Sequence, residues 1–345
     1  MFDFEKIIRP NIKMLTPYSS ARDEYKGVAD ILMDANESPY ASAINRYPDP
    51  YQVDLKQAIS KVKGVDVTNI FIGNGSDEAI DLLFRAYCEP KVDKAYIFSP
   101  TYGMYSVSAQ INNVELVEIP LTAEFELPSI DLIKENITSR GLLFICSPNN
   151  PTGNIYSLEA ISEIAKAFDG LVVVDEAYID FSYAKSMTSL LDKIDNLVVL
   201  QTMSKAYGLA GLRLGLAYAN EKIISVLNKI KPPYNVNTLS QEKGLEALNE
   251  KNSKIREKQI LEIISNRERL FIALNQLPCT IEVFPSQGNF ILATFTNPQQ
   301  ILDSLRNAGI IIRDRRSQIK NGLRISVGSP DENAKLITTL KELCK

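Results

Sequence analysis

Thr202-Met203-Ser204-Lys205-Ala206-Tyr207-Gly208-Leu209-Ala210-Gly211-Leu212-Arg213-Leu214-Gly215 is the stretch on which the reading of this chain turns. Ahead of it stands Leu197-Val198-Val199-Leu200-Gln201, apolar, β-branched and of strand length. Behind Lys205 come two glycines, Gly208 and Gly211, and Arg213, before apolar sequence resumes at Leu214. A lysine in a small-residue, hydroxyl-lined loop after a buried strand has two readings. It is a solvated loop residue, or it is an amine activated by desolvation and neighbouring cations for covalent work on a carbonyl. The neighbours favour the second reading. Thr202, Ser204 and Arg213 offer two hydroxyls and a guanidinium, the equipment for one phosphate group.

Composition narrows what such a lysine could serve. The 345 residues leave room for two domains, and 45% hydrophobic content supplies ample core. A net charge of -4 without a long basic run argues against nucleic acid or an anionic membrane as main partner. No apolar run approaches a membrane span, and Met1-Phe-Asp-Phe-Glu-Lys6 lacks the layout of a signal peptide, so a cytoplasmic location is expected. Cys88, Cys146, Cys279 and Cys344 are scattered and read as reduced, mostly packing thiols. The chain contains no histidine, which excludes Ser-His-Asp and Cys-His catalysis and histidine proton shuttles. Any general base is then a lysine, tyrosine, carboxylate or cysteine. No metal site is expected.

Apolar strands alternate with helical segments from about Val53 to Ala219, the pattern of a largely parallel sheet covered on both faces. Strands are expected at Ile70–Ile72, Lys94–Phe98, Val114–Ile119, Gly141–Ser147, Leu171–Asp175, Leu197–Gln201 and Gly215–Ala219. Ile31–Pro39 reads as a short strand running into a polar turn. After Pro232-Pro233 a long amphipathic helical region, Leu239 to Leu277, precedes strands at Thr280–Phe284, Asn289–Phe295, Ile310–Ile312 and Leu323–Val327 and a final helix. The expected division is an N-terminal arm over 1–30, a large domain over 45–240, and a small α+β domain from 31–44 with 241–345.

Four further constellations carry chemistry. Asp175 ends the strand Val172-Val-Val-Val-Asp175, where ligands gather in open α/β sheets. Ser147-Pro148-Asn149-Asn150-Pro151-Thr152-Gly153 follows another strand as a proline-rich turn. Gly73-Asn74-Gly75-Ser76-Asp77-Glu78 is a strand-to-helix turn whose free N–H groups can grip a phosphate. It lacks the full Gly-x-Gly-x-x-Gly and its downstream acid, which counts against a nicotinamide-binding domain. Arg324 sits in the otherwise apolar Gly322–Gly328, with Arg313 upstream. Two arginines suit a phosphate dianion better than a carboxylate. Arg315 and Arg316 read as a solvated loop.

Taken together, these motifs resemble those of the fold-type I pyridoxal-phosphate-dependent aminotransferases. The resemblance implies an α/β fold: a large domain whose mostly parallel sheet is covered by helices, plus a smaller α+β domain. It implies pyridoxal 5′-phosphate joined to Lys205, with the phosphate held by Gly75, Ser76, Asp77, Thr202, Ser204 and Arg213. Tyr102 would stack on the ring, Asp175 would pair with its nitrogen, and Asn150 and Tyr178 would face its 3′ oxygen. Lys205, Asp175 and Tyr178 form the catalytic set.

The N-terminal runs Leu15–Arg22, Asp34–Pro39 and Arg46–Pro48 bring the resemblance to the histidinol-phosphate aminotransferase branch. On that resemblance Tyr18, Asn36, Arg313 and Arg324 would surround L-histidinol phosphate. Tyr47 would reach the cofactor phosphate of the partner subunit, so the active unit would be a homodimer. The implied reaction is transamination of L-histidinol phosphate with 2-oxoglutarate, giving imidazole-acetol phosphate and L-glutamate in histidine biosynthesis. The rival readings are an aromatic amino acid aminotransferase, a threonine-phosphate decarboxylase, and a catalytically silent aminotransferase-like binding module.

Overall fold

The computed structural model describes residues 2–25, 27 and 29–344. A seven-stranded sheet carries the chain's larger core. Its strands are β1 (Ile70–Asn74), β2 (Lys94–Ser99), β3 (Glu115–Pro120), β4 (Gly141–Cys146), β5 (Leu171–Asp175), β6 (Leu197–Thr202) and β7 (Leu214–Ala219). Their order is β1-β7-β6-β5-β4-β2-β3, and β7 alone runs against the rest. Successive residues of β5 serve opposite faces, as pleating requires. Val173 packs with Phe84, Phe144 and Leu200 on one face, and Val172 and Val174 with Ile161, Ile164 and Val199 on the other. Helices on both faces explain why these strands read as unbroken apolar runs.

Parallel pairing brings the carboxyl ends of β1, β4, β5 and β6 to one edge. Cys146 stands opposite Asp175, and Asp175 opposite Leu200. The antiparallel β7 begins at that same edge, with Gly215 opposite both Thr202 and Gly73. The site-bearing loops therefore converge there by topology.

A second, antiparallel sheet has the order β10-β11-β9-β8, with β8 (Thr280–Val283), β9 (Phe290–Phe295), β10 (Arg313–Asp314) and β11 (Gly322–Ser326). Leu270 and Leu274 of the helix Glu250–Asn275, Leu305 of Pro298–Asn307 and Leu340 of Pro330–Leu343 close its core. Among the described residues, no helix is long and apolar enough to cross a membrane.

Several sequence expectations are corrected here. The strand expected near Ile31 is absent: the segment is irregular and Ile31 is exposed, with no neighbouring strand to pair with. Instead Glu37 gathers Arg22 Nη2 at 2.5 Å, Arg46 Nη1 at 2.8 Å and the Tyr47 N–H at 2.6 Å. Those donors hold its carboxyl down to about 2. The N-terminal arm is not wholly extended: it contains the short helices Phe4–Ile7, Pro10–Met14 and Ala21–Glu24, and Phe4 and Ile7 are buried against the large core. Ile310–Ile312 form no strand, and pairing begins only at Arg313. The helical region after Pro233 is two helices, Thr238–Ala247 and Glu250–Asn275, the second capped by the Asn249 side chain on the Asn252 N–H at 2.8 Å.

The cysteine reading also changes. Cys279 and Cys344 form a disulfide, because the terminal helix folds back over the second sheet and brings their Cα atoms to 5.5 Å across 65 residues of sequence. Scattered spacing cannot reveal a contact made only by tertiary packing. Cys88 and Cys146 are buried free thiols.

Candidate active site

Lys205 stands in the turn after β6, open to a cleft at the converging strand ends. Its amine lies 5.7 Å from the centre of the Tyr178 ring. Surrounding protein atoms, and next Arg324, push the pKa of this ammonium below its usual value, while Asp175 opposes them. A lysine so placed keeps more of the neutral, nucleophilic amine at neutral pH.

Gly75, Ser76, Asp77, Tyr102, Asn150, Asp175, Tyr178, Thr202, Ser204, Lys205 and Arg213 all line this one cavity. Of the residues proposed for the cofactor, Tyr47 alone lies elsewhere. At one end, Gly75 precedes the helix Ser76–Tyr87, whose first N–H groups have no intrahelical acceptor. The Thr202 and Ser204 hydroxyls are 3.0 Å apart, and Arg213 Nη2 lies 3.4 Å from Asp77 Oδ2. Gly75 has φ 73, a region that favours glycine, and a Cβ there would come within 2.6 Å of Arg213 Nη2. Only a bare backbone leaves that space for an anion. Gly215 matters for the same cradle, since its Cβ would stand 2.0 Å from the Gly75 carbonyl carbon. Gly215→Ala should thus cost about 3 kcal/mol or more of stability, the upper end of overpacking, and sharply weaken cofactor retention. Denaturant unfolding and cofactor titration check this; an unchanged midpoint and affinity would contradict it.

At the other end Asp175, 2% exposed, accepts from Tyr105 Oη at 2.7 Å and from the Ala177 N–H at 3.1 Å. Burial raises its pKa despite these donors. A cationic ring nitrogen in the cleft would favour the carboxylate form. Tyr178 Oη receives the Asn150 Nδ2 hydrogen at 3.3 Å, and burial keeps the phenol protonated. Tyr102 Oη donates to Asp77 Oδ1 at 3.2 Å. A phosphate cradle, a buried carboxylate and an amide–phenol pair around one activated lysine fit a phosphorylated pyridine aldehyde, the group expected from the sequence.

Arg324 reaches the cavity from β11: its Nη1 donates to Asn150 Oδ1, and its guanidinium lies 5.3 Å from the Phe290 ring centre. Arg313, its cross-strand partner, is exposed. Within one chain, Tyr18, Asn36 and Tyr47 are not brought to Lys205. Tyr18 is 66% exposed beside the N-terminal helices, whereas Asn36 and Tyr47 line a separate groove in which Tyr47 stacks on Tyr234 at 4.4 Å.

Three residues escaped the sequence reading. Tyr105 holds Asp175 from the first turn of the helix Met104–Ile111, just after Tyr102. Cys146 lines the cavity at the end of β4. Arg315, expected in a solvated loop, is instead half-buried, with Nη2 3.4 Å from Asn150 Oδ1.

Comparison with known proteins places the chain in a family. The family model for aminotransferase class I and II matches residues 23–340. The histidinol-phosphate aminotransferase of Cytophaga hutchinsonii is 50% identical over 346 residues, covering 99% of each chain. Among solved structures, the histidinol-phosphate aminotransferase from Clostridium acetobutylicum superposes with a TM-score of 0.79 at 24% identity, over 87% of this chain and 91% of that one. The Sinorhizobium meliloti histidinol-phosphate aminotransferase, solved in complex with pyridoxal-5′-phosphate, gives 0.79 at 24% identity, over 87% and 83%. The fold, the lysine-centred cleft and these matches lead to one conclusion: the chain belongs to the aminotransferase class I and II family.

Proposed function

We propose that this chain transfers the amino group of L-histidinol phosphate to 2-oxoglutarate, giving imidazole-acetol phosphate and L-glutamate, with pyridoxal 5′-phosphate held at Lys205. The observation that carries the reading is a cleft with two cationic ends flanking one activated amine: the Gly75–Arg213 cradle on one side and Arg324 on the other. The 50% identity to a histidinol-phosphate aminotransferase over nearly the whole chain supports the same substrate.

Bound there, the cofactor supplies the electron sink for the bond broken at the substrate α-carbon. Thr202, Ser204, Arg213 and the first turn of Ser76–Tyr87 would hold its phosphate. Asp175 would pair with its ring nitrogen and favour the protonated form, Asn150 and Tyr178 would donate toward its 3′ oxygen, and Tyr102 would cover the ring. Lys205 would act as the base that takes the proton from the substrate α-carbon. Arg324 binds the substrate's anionic end and so orients the α-C–H bond toward Lys205.

The division into a 45–240 cofactor domain and a small domain of 31–44 with 241–345 belongs to this proposal, as does a homodimer. Tyr18, Asn36 and Tyr47 lie away from their own chain's lysine, and Met14, Ile31, Met33 and Tyr40 expose apolar surface in the same N-terminal segment. A second copy would cover that surface and carry Tyr47 to the partner's cleft.

With L-histidinol phosphate and 2-oxoglutarate, the purified protein should form L-glutamate and imidazole-acetol phosphate one for one. L-Threonine O-phosphate should release no carbon dioxide, and L-phenylalanine should give a lower kcat/KM. Carbon dioxide release, or a preference for phenylalanine, would replace the reading by one of its rivals.

A further inference from the structure

Lys231 ends the helix Glu221–Ile230, where Pro232 and Pro233 forbid a further turn. The residue is 7% exposed, rare for a lysine. Its ammonium meets the carbonyl oxygens of Pro50 at 2.7 Å, Pro233 at 2.9 Å and Pro232 at 3.3 Å, and Asn235 Oδ1 at 3.2 Å. The Tyr51 ring centre lies 5.9 Å away. An ammonium carries three N–H groups, so these oxygens outnumber its donors. All of them are neutral and most are backbone carbonyls, the kind of shell that replaces the hydration of a monovalent cation. Gln52, 1% exposed, donates to two of the same oxygens, Pro50 O at 2.7 Å and Asn235 Oδ1 at 3.4 Å. Its own Oε1 is buried and, among the described residues, meets no donor. Oxygens from two segments far apart in sequence thus converge on one point, and a positive charge there offsets their mutual repulsion.

This cage adjoins the phosphate cradle. Asn235 Nδ2 donates to the Ile72 carbonyl at 3.1 Å and to Glu78 Oε2 at 3.0 Å. Glu78 Oε2 also takes the Asn74 N–H at 2.5 Å, and Asn74 Nδ2 donates to the Asn235 carbonyl at 2.5 Å. Asn74 directly precedes Gly75, so these bonds fix the turn that opens the helix Ser76–Tyr87. Next to Asn235 in the chain, Tyr234 stacks on Tyr47 at 4.4 Å, the residue assigned above to the partner's cleft.

We propose that Lys231 is a positioning residue for the cofactor phosphate: its ammonium is a built-in monovalent cation whose oxygen cage holds Asn235 against the Asn74–Gly75 turn. The inference rests on the reading of that turn as the phosphate cradle. Emptied of its lysine, the cage becomes a site for a free monovalent cation.

The test uses the full chain with Lys231→Ala, which opens the cage, and Lys231→Met, which fills the space of the stem without charge. The readouts are the dissociation constant of pyridoxal 5′-phosphate and the unfolding midpoint of the cofactor-free protein. Both are measured in potassium, ammonium or tetramethylammonium chloride at equal ionic strength, the last cation being too large for the cage. In tetramethylammonium chloride both variants should bind the cofactor about tenfold or more weakly, the loss of one charge-assisted contact. Potassium or ammonium should recover most of that loss in Lys231→Ala and none in Lys231→Met, and should leave the wild type unmoved. The midpoint of Lys231→Ala should rise in the same two salts, which keeps the test open if that variant is too unstable to titrate. Wild-type cofactor affinity in Lys231→Met, or a Lys231→Ala response equal in all three salts, would overturn the proposal. So would a midpoint that recovers while cofactor affinity does not, because the lysine would then be structural. A wild type unable to bind pyridoxal 5′-phosphate would instead refute the cradle reading, and the salt dependence of the Lys231→Ala midpoint would still decide whether the cage takes a cation.

Discussion

Lys205→Ala is expected to lower turnover by about 10⁴-fold or more, while the protein remains folded and still takes up pyridoxal 5′-phosphate. The loss is large because the substitution removes the group proposed to bond the cofactor and to move the α-carbon proton. No other group of suitable pKa replaces it: Tyr178 stays protonated, and the chain has no histidine. The fold should survive because the side chain faces the cleft rather than the core, and its notable contact is the Tyr178 ring at 5.7 Å. Cofactor should remain bound through Thr202, Ser204, Arg213 and the helix N-terminus but become removable by dialysis. Single-turnover mixing with the amino donor, alongside circular dichroism, separates lost chemistry from lost structure. Turnover near the wild-type level would refute Lys205 as the central group.

The second large effect is expected at Asp175. Asp175→Asn keeps the shape and can retain a contact with Tyr105 Oη, but it removes the charge proposed to hold a proton on the ring nitrogen. Loss of one preorganised electrostatic partner in a water-poor site lowers rates by about 10²–10³-fold. The effect should fall on kcat, with cofactor retained. Stability should hold or rise, because a buried carboxylate is costly to desolvate and burial already raises the Asp175 pKa. Comparing kcat with the unfolding midpoint checks both parts. A near-wild-type kcat would remove Asp175 from its role, and an unfolded variant would make the residue structural.

What could be read before the structure, and what could not, follows from the range of the forces involved. Asp175, Asn150, Lys205 and Gly75 all sit at or just past the ends of apolar strands. Once those strands were read as parallel, their loops had to meet at one edge, so local sequence sufficed. The close backbone approach that leaves no room for a side chain at Gly75 and Gly215 became visible only in the folded chain. The Ile31 segment failed as a strand because its apolar residues face outward and its order comes from the Glu37 charge network, which a periodicity argument does not see. The pairing of Cys279 with Cys344 depends on where the last helix docks, and the placement of Arg315 depends on Gln318 reaching Thr101 across the cleft. Tyr18, Asn36 and Tyr47 are a third kind of case. Their motifs were legible, but a single chain does not bring them to Lys205, so the role proposed for them rests on the proposed homodimer.

The central claim is that one cleft joins cofactor, Lys205 and a phosphorylated amino donor. It is tested most directly by mixing the holoenzyme with L-histidinol phosphate in the absence of any keto acid, following the cofactor's visible absorption and the product together. The account predicts that the band is lost while one equivalent of imidazole-acetol phosphate appears per Lys205, and that 2-oxoglutarate then restores the band with release of L-glutamate. A band that persists with no product, in protein carrying a full complement of cofactor, would contradict it.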